Sequence, residues 1–127
     1  MDKRAELRDM TESLLALNDF MLQRFEQAKE SNEKGDFYSE VKPFADRVLK
    51  QAEAWEGTVV SWLKSCPRKN LHPKQITATA ENIQMVSVQA FFPQTSRKRF
   101  IGHIQSIEYV LRSVISAVEQ EEQNEEE

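Results

Sequence analysis

The chain has 127 residues, of which 39% are hydrophobic and 30% are charged, and its formal net charge at pH 7 is −4. This length suits one domain with its own core, and the composition excludes a disordered chain. No apolar run approaches the roughly 20 residues of a membrane-spanning helix. The amino terminus, MDKRAELRDM, lacks the apolar stretch of a signal peptide. The single cysteine, Cys66, cannot form an internal disulfide, and we expect a cytoplasmic protein.

Residues 119–127, EQEEQNEEE, hold six glutamates and no basic residue. Without these six charges, the net charge of −4 becomes +2 for residues 1–118. Runs of like charge are commonly solvated and disordered. The sequence therefore predicts a folded body over 1–118 and an acidic, disordered tail over 119–127.

Apolar residues three and four positions apart predict a first helix over about residues 3–32. Its stripe is Leu7, Met10, Leu14, Leu17, Met21, Phe25 and Ala28. A second stripe predicts a helix over about residues 36–66. Its members are Phe37, Val41, Phe44, Val48, Ala52, Trp55, Val59, Trp62 and Cys66. Pro43 lies inside this second stripe, and because proline lacks a backbone donor it predicts a break there.

The third helix is predicted over about residues 74–92 and the fourth over about 96–119. The third stripe is Ile76, Ala80, Ile83, Val86, Ser87 and Ala90. The fourth stripe, after a helix start at Thr95 or Ser96, is Phe100, Ile104, Ile107, Leu111, Val114 and Val118. Four amphipathic helices with short connections favour an all-α, single-domain, antiparallel (up-down-up-down) four-helix bundle. Trp55 and Trp62 are expected in its core.

Three segments, DFYSEVKPFAD (36–46), LHPKQI (71–76) and ENIQMVSVQAFFPQTSRKRF (81–100), resemble the YppE-like family of small Bacillus-type proteins. The resemblance covers nearly the whole chain, and the third segment is its most specific part. It implies an all-α bundle from a Gram-positive bacterium. It implies no activity, because the family is one of unknown function.

Residues for known kinds of catalysis or metal binding are missing from the sequence. The two histidines, His72 and His103, are not preceded by the glutamate of a Glu-x-x-His pair. One cysteine cannot anchor a structural zinc site, and a free cysteine is more often a small buried residue than a nucleophile. We predict no catalytic residue, no metal site and no cofactor.

Helix three is apolar on two sides near its end, because Met85, Val88 and Phe92 lie roughly opposite Ile76 and Ile83 at 100° per residue. Burial is the commoner fate of large apolar side chains, which favours a cover formed by residues 36–41. The alternative is an exposed patch for a partner protein.

Helix four begins with Arg97, Lys98 and Arg99, which would steer an acidic partner or bind an anion at the helix start. A second basic cluster around Arg68 and Lys69 falls at the opposite end of the predicted bundle. Nucleic-acid binding is therefore not favoured, since it needs one continuous basic face.

Ser87 lies on the core stripe of helix three, with Asn82 at its edge and His103 at the edge of the helix-four stripe. An internal hydrogen-bond network would satisfy such polar groups. A polar cavity for a small ligand, or a cryptic enzyme, is the alternative.

The sequence favours a non-enzymatic protein that binds another protein. Its expected surface comprises the 31–42 connection, the end of helix three and the start of helix four, with Met85, Val88, Phe92, Arg97, Lys98 and Arg99 as contact residues. A monomer is expected, with a weak dimer through the helix-three patch as the alternative.

Overall fold

The computed structural model describes residues 3–126. Over this range the chain forms four α-helices and one short π-helical turn, and no strand. The elements are α1 (Lys3–Ser31), the π turn (Phe37–Val41), α2 (Lys42–Ser65), α3 (Pro73–Gln89) and α4 (Arg97–Glu126). α1 packs mainly against α4, and α2 packs mainly against α3. The predicted all-α four-helix bundle is confirmed.

Local sequence explains where the helices begin and end. α1 ends before Asn32, whose φ of 56° is the left-handed conformation that asparagine tolerates. The Asp36 carboxylate caps the π turn by accepting the Ser39 N–H at 2.8 Å. Pro43 stands at the start of α2, where its missing donor removes no helical hydrogen bond. The π turn therefore leads directly into α2.

The apolar stripes of the four helices meet in one core. The largest completely buried side chains are Trp55, Phe25, Phe91, Phe100, Leu7, Leu14, Met21, Ile76, Ile83, Ile107, Leu111 and Val41. Removing such side chains from water stabilises a fold by about 1.5–3 kcal/mol each. The rings of Phe25 and Phe100 stack at 4.1 Å and join α1 to α4.

Trp55 is completely buried, and its indole N–H donates to the Thr11 hydroxyl at 3.0 Å. Thr11 is also buried, and its hydroxyl donates to the Leu7 carbonyl at 2.7 Å. Both groups therefore have partners away from water, which a buried polar group requires. The bond joins α2 to α1 at the level of the largest core side chain.

Asn18 makes a second polar link between helices. Its side chain is buried, and its amide nitrogen donates to the Ile104 carbonyl in α4 at 3.1 Å. Its amide oxygen has no hydrogen-bond partner among the described residues. The single bond fixes the register between α1 and α4, because it aims one side chain at one carbonyl.

The predicted disordered tail is wrong for residues 119–126, which continue α4 to Glu126. Glu121 accepts the indole N–H of Trp62 at 2.8 Å and the thiol of Cys66 at 3.3 Å. Glu122 forms an ion pair with Arg8. These acceptors meet donors at the end of α2 and the start of α1, so part of the glutamate run is held against the bundle. Residue 127 lies outside the described residues.

Thr11→Val is expected to lower the free energy of unfolding by about 1–3 kcal/mol, because it leaves the buried indole N–H of Trp55 without an acceptor. Denaturant unfolding measures this change. The same substitution in a Trp55→Phe background should cost clearly less. Thr79→Val is the control, since its hydroxyl bonds only within its own helix. An equal cost of Thr11→Val in both backgrounds would contradict the assignment.

Glu121→Ala is expected to lower the free energy of unfolding by about 1–3 kcal/mol, because Trp62 and Cys66 lose their acceptor. Glu119→Ala, at an exposed position of the same helix, should have little effect. Urea unfolding of the two variants at pH 7 compares them. Equal stability of both with the parent chain would indicate that residues 119–126 do not pack against the bundle.

Candidate functional site

One end of the bundle carries the 32–36 loop, the π turn, the end of α3 and the start of α4. It is here named the connection end. Gly35 holds it together, because its N–H donates to the Phe91 carbonyl at 2.9 Å. A Cβ on Gly35 would lie only 2.9 Å from Cδ1 of Phe91. Glycine is thus required for the close approach of the loop to the segment after α3.

Arg24 and Glu40 fasten the π turn to α1. The guanidinium donates two hydrogen bonds to the carboxylate, at 2.9 and 3.0 Å. This hydrogen bonding is the main cause that lowers the pKa of Glu40 and raises the pKa of Arg24. The guanidinium also lies 4.9 Å from the centre of the Phe91 ring. The π turn, α1 and the segment after α3 therefore form one fixed surface.

The favoured interpretation that residues 36–41 cover the second face of helix three is wrong. Met85 and Val88 remain 37% and 40% exposed. The aromatic residues of the π turn, Phe37 and Tyr38, are themselves 53% and 81% exposed. The connection packs on Phe91 instead, which is buried. None of these four side chains is fully covered by other described residues.

Phe92 departs from its predicted place. α3 ends at Gln89, so the 100° advance per residue no longer applies at Phe92. Its ring is half-buried and packs against the core. Of the three predicted apolar contact residues, only Met85 and Val88 are well exposed.

Exposed large apolar side chains are concentrated toward the connection end. Seven such residues occur among the described residues, and six of them lie on α1, α2, α3 or in the π turn. The six are Phe20, Phe37, Tyr38, Leu49, Met85 and Val88. The seventh, Tyr109, lies in the middle of α4. Four of them, Phe37, Tyr38, Met85 and Val88, belong to the π turn or to the last turns of α3, and exposed apolar area of this kind is typical of a contact surface.

The three basic residues at the start of α4 have different environments. Arg97 forms an ion pair with Glu26, which raises the pKa of its guanidinium. Lys98 and Arg99 are exposed and have no ion pair within residues 3–126. The Ser96 hydroxyl accepts the backbone N–H of Arg99 at 3.4 Å. Lys98 and Arg99 therefore form no ion pair with described residues. Arg97, which was predicted to help bind an anion at the helix start, is paired with Glu26 instead.

The polar residues predicted to line a cavity are not joined into one. The Ser87 hydroxyl donates to the Gln84 carbonyl at 2.5 Å, within its own helix. Asn82 and His103 are half-buried and have no hydrogen bond to other described residues. The fully buried side-chain hydrogen bonds that cross between helices come instead from Asn18 and Trp55. The polar-cavity interpretation is therefore not favoured.

A polar cluster that sequence reasoning missed lies at the opposite end. Glu121 joins Trp62, Cys66 and Arg68, the last at 3.7 Å. Burial and then the Glu121 carboxylate raise the pKa of the Cys66 thiol. A raised pKa disfavours the thiolate and hence a nucleophilic role. The sequence offered no signal for this cluster, because Glu121 lies within a uniform run of glutamates.

A groove of about 640 Å³ runs between the loop after α2 and α4, near Arg68, Lys69, Tyr109 and Arg112. It would suit an anion only if its guanidinium groups were available. Arg68 already donates to the Ala117 carbonyl at 3.0 Å, and Arg112 pairs with Glu108 at 3.2 Å. Only Lys69 is left without an ion pair to described residues.

Residues 3–126 present neither a cluster of metal ligands nor a helix able to cross a membrane. No group of three or more histidine, cysteine, aspartate or glutamate side chains is placed to hold a metal ion there. None of the four helices combines the length and the apolarity that crossing a bilayer requires.

Comparisons with known proteins place this fold among uncharacterised bacterial relatives. The model of a bacterial domain of unknown function, DUF1798, matches residues 11–118. The uncharacterized protein YppE of Bacillus subtilis (strain 168) is 26% identical over 116 residues, which cover 91% of this chain and 94% of YppE.

Solved structures give the same result. A crystal structure of a protein of unknown function from Listeria innocua has a TM-score of 0.90 at 28% identity, covering 95% of this chain and 97% of that one. The crystal structure of Bacillus subtilis YppE has a TM-score of 0.89 at 25% identity, covering 94% and 97%. A Staphylococcus aureus domain of the same family has a TM-score of 0.79 at 26% identity, covering 90% and 96%.

Glu40→Gln is expected to destabilise the protein at pH 7 and much less in acid. The Arg24 hydrogen bonds hold the pKa of Glu40 in the folded state below its ordinary 4.5, so the unfolded chain takes up the proton first as pH falls. The stabilisation is complete above pH 4.5 and is lost as pH falls through the lower folded pKa. Urea unfolding at pH 7 and at several pH values below 4.5 measures it.

Glu33→Gln is the control for this measurement, because Glu33 is exposed in the same connection and its side chain has no partner among the described residues. Its stability difference from the parent chain should stay small at every pH. A constant difference for Glu40→Gln across the range would show that the carboxylate charge contributes nothing.

Proposed function

The chain belongs to the DUF1798 family of bacterial domains of unknown function. The family supplies no activity to carry over, and we propose that the chain is a non-enzymatic protein-interaction module. Its partner binds at the connection end. The module works in the cytoplasm of a Gram-positive bacterium and is a monomer before it binds.

The observation that carries this proposal is the concentration of exposed apolar side chains at the connection end. Met85, Val88, Phe37 and Tyr38 stand on helical segments whose backbones are fixed by the bundle and by the Gly35–Phe91 contact. A rigid surface loses little conformational entropy on binding. Aromatic and methionine side chains are also enriched at protein interfaces.

Charge at this end supports an acidic partner protein. Lys98 and Arg99 are free of ion pairs to described residues and lie beside the end of α3. Rim charges of this kind mainly raise the association rate and select partners. Binding of a nucleic acid is not favoured, because Arg68, at the other end, is engaged by Glu121.

Two double variants test the proposal against matched controls. Met85→Ser/Val88→Ser removes apolar area, and its control is Tyr109→Ser, an exposed apolar residue outside the surface. Lys98→Glu/Arg99→Glu reverses charge, and its control, Lys69→Glu/Lys74→Glu, makes the same change of net charge at the other end. Phe92 is left intact because it packs against the core.

The measurement is chemical cross-linking in the native cells followed by quantitative mass spectrometry of the captured proteins. We expect both connection-end variants to reduce the same cross-linked partner by about tenfold, the size of a loss near 1.4 kcal/mol. Both controls should retain it. Identical capture by all four variants would overturn the proposal.

A further inference from the structure

A continuous groove runs along the surface between α1 and α2. Three depressions of about 250, 370 and 300 Å³ follow one another along this seam. The first two share Ser13 and Gln51, and the second two share Phe20, Phe44 and Arg47. Because neighbouring depressions have walls in common, they form one channel, here named the α1–α2 groove.

The groove exists because α1 and α2 approach each other less closely than α1 approaches α4. Trp55 lies inside this seam, completely buried and bonded to Thr11. Toward solvent the facing residues are small, with Ser13 and Ala16 on α1 and Ala54 on α2. Small side chains at these positions leave the seam open toward solvent.

The surface of the groove is apolar along much of its length. Met10, Leu17 and Phe44 line it and pack against the core. Phe20 is 44% exposed, and its ring centre lies 5.2 Å from that of Phe44. An aromatic pair at the mouth of an open channel can pack against an apolar side chain of a partner.

The charges along the groove are positive and free. Arg47 and Lys50, one helical turn apart, line it without an ion pair to described residues. The one carboxylate among the described lining residues, Glu40, is engaged by Arg24. The groove therefore presents two uncompensated cations beside an apolar channel. A partner with carboxylates flanking an apolar stripe would complement both features.

The length of the groove suits a short helix. Met10 and Phe20 are ten residues apart on α1, which corresponds to about 15 Å at 1.5 Å per residue. A partner helix of about three turns would place apolar residues at i, i+3 or i+4, and i+7 along this distance. A channel between two parallel ridges of side chains is also the shape that receives a third helix.

We propose that the α1–α2 groove binds an acidic amphipathic helix of a partner protein. Its apolar stripe contacts Leu17, Phe20 and Phe44, and its carboxylates pair with Arg47 and Lys50. This inference rests on the proposed interaction function and states the chemistry of the partner segment.

The test uses two labelled model peptides of about 18 residues, long enough for helix formation on binding. Both carry the same leucine stripe at i, i+3/i+4 and i+7, flanked by glutamates in one and by lysines in the other. Fluorescence anisotropy at low salt gives their affinities for the full chain. Since the chain has a net charge of −4, overall electrostatics favours the lysine peptide, so a preference for the glutamate peptide must arise locally.

We expect the glutamate peptide to bind about tenfold more tightly than the lysine peptide, the effect of two modest ion pairs. Arg47→Glu/Lys50→Glu should reverse this order, and Phe20→Ser should weaken both peptides. Lys69→Glu/Lys74→Glu, with the same change of net charge at the other end of the bundle, should leave the order unchanged. Circular dichroism checks that each variant is folded.

No binding of either peptide, equal affinities, or an order that Arg47→Glu/Lys50→Glu leaves intact would overturn the inference. That failure is distinguishable from a failure of the proposed function. If cross-linked capture still depends on Met85 and Val88 while the peptides do not bind at the groove, the interaction function stands and the groove is not its site.

Discussion

The bond between the Trp55 indole and the Thr11 hydroxyl is the interaction on which the arrangement of α1 and α2 depends. The indole is too large to lie in a tight helix–helix seam and too polar to be buried without an acceptor. Thr11 supplies that acceptor from the facing helix. The bundle can then bury its largest side chain completely while α1 and α2 stay apart.

The two ends of the bundle are fixed by different interactions. At the connection end, backbone and guanidinium contacts converge on Phe91, which allows Phe37 and Tyr38 to remain in water. At the other end, the carboxylate of Glu121 accepts hydrogen bonds from the indole of Trp62 and the thiol of Cys66. The Trp62 and Cys66 donors are satisfied there, whereas apolar area is left exposed at the connection end. This asymmetry supports the proposal that a partner binds at the connection end.

Helical periodicity predicted the four helices, because the stripe of each one is what the bundle buries. It could not predict which helix a stripe would face, and so the groove between α1 and α2 was not visible in the sequence. It also failed beyond the end of α3, where Phe91 rather than its neighbour Phe92 turned inward. The prediction of disorder for the glutamate run over 119–127 rests on composition alone. Composition cannot show that Glu121 would meet two donors from α2.

The two tryptophans also make separate parts of the molecule optically visible. Trp55 is sealed in the α1–α2 seam against a neutral hydroxyl, and its emission reports on that seam. Trp62 stands beside a carboxylate and, at 5.6 Å from its ring, the guanidinium of Arg68. Its quantum yield is sensitive to the last turns of α4, which supply that carboxylate. Loosening of the carboxyl-terminal turns would thus change the fluorescence of one indole and leave that of the other unaltered.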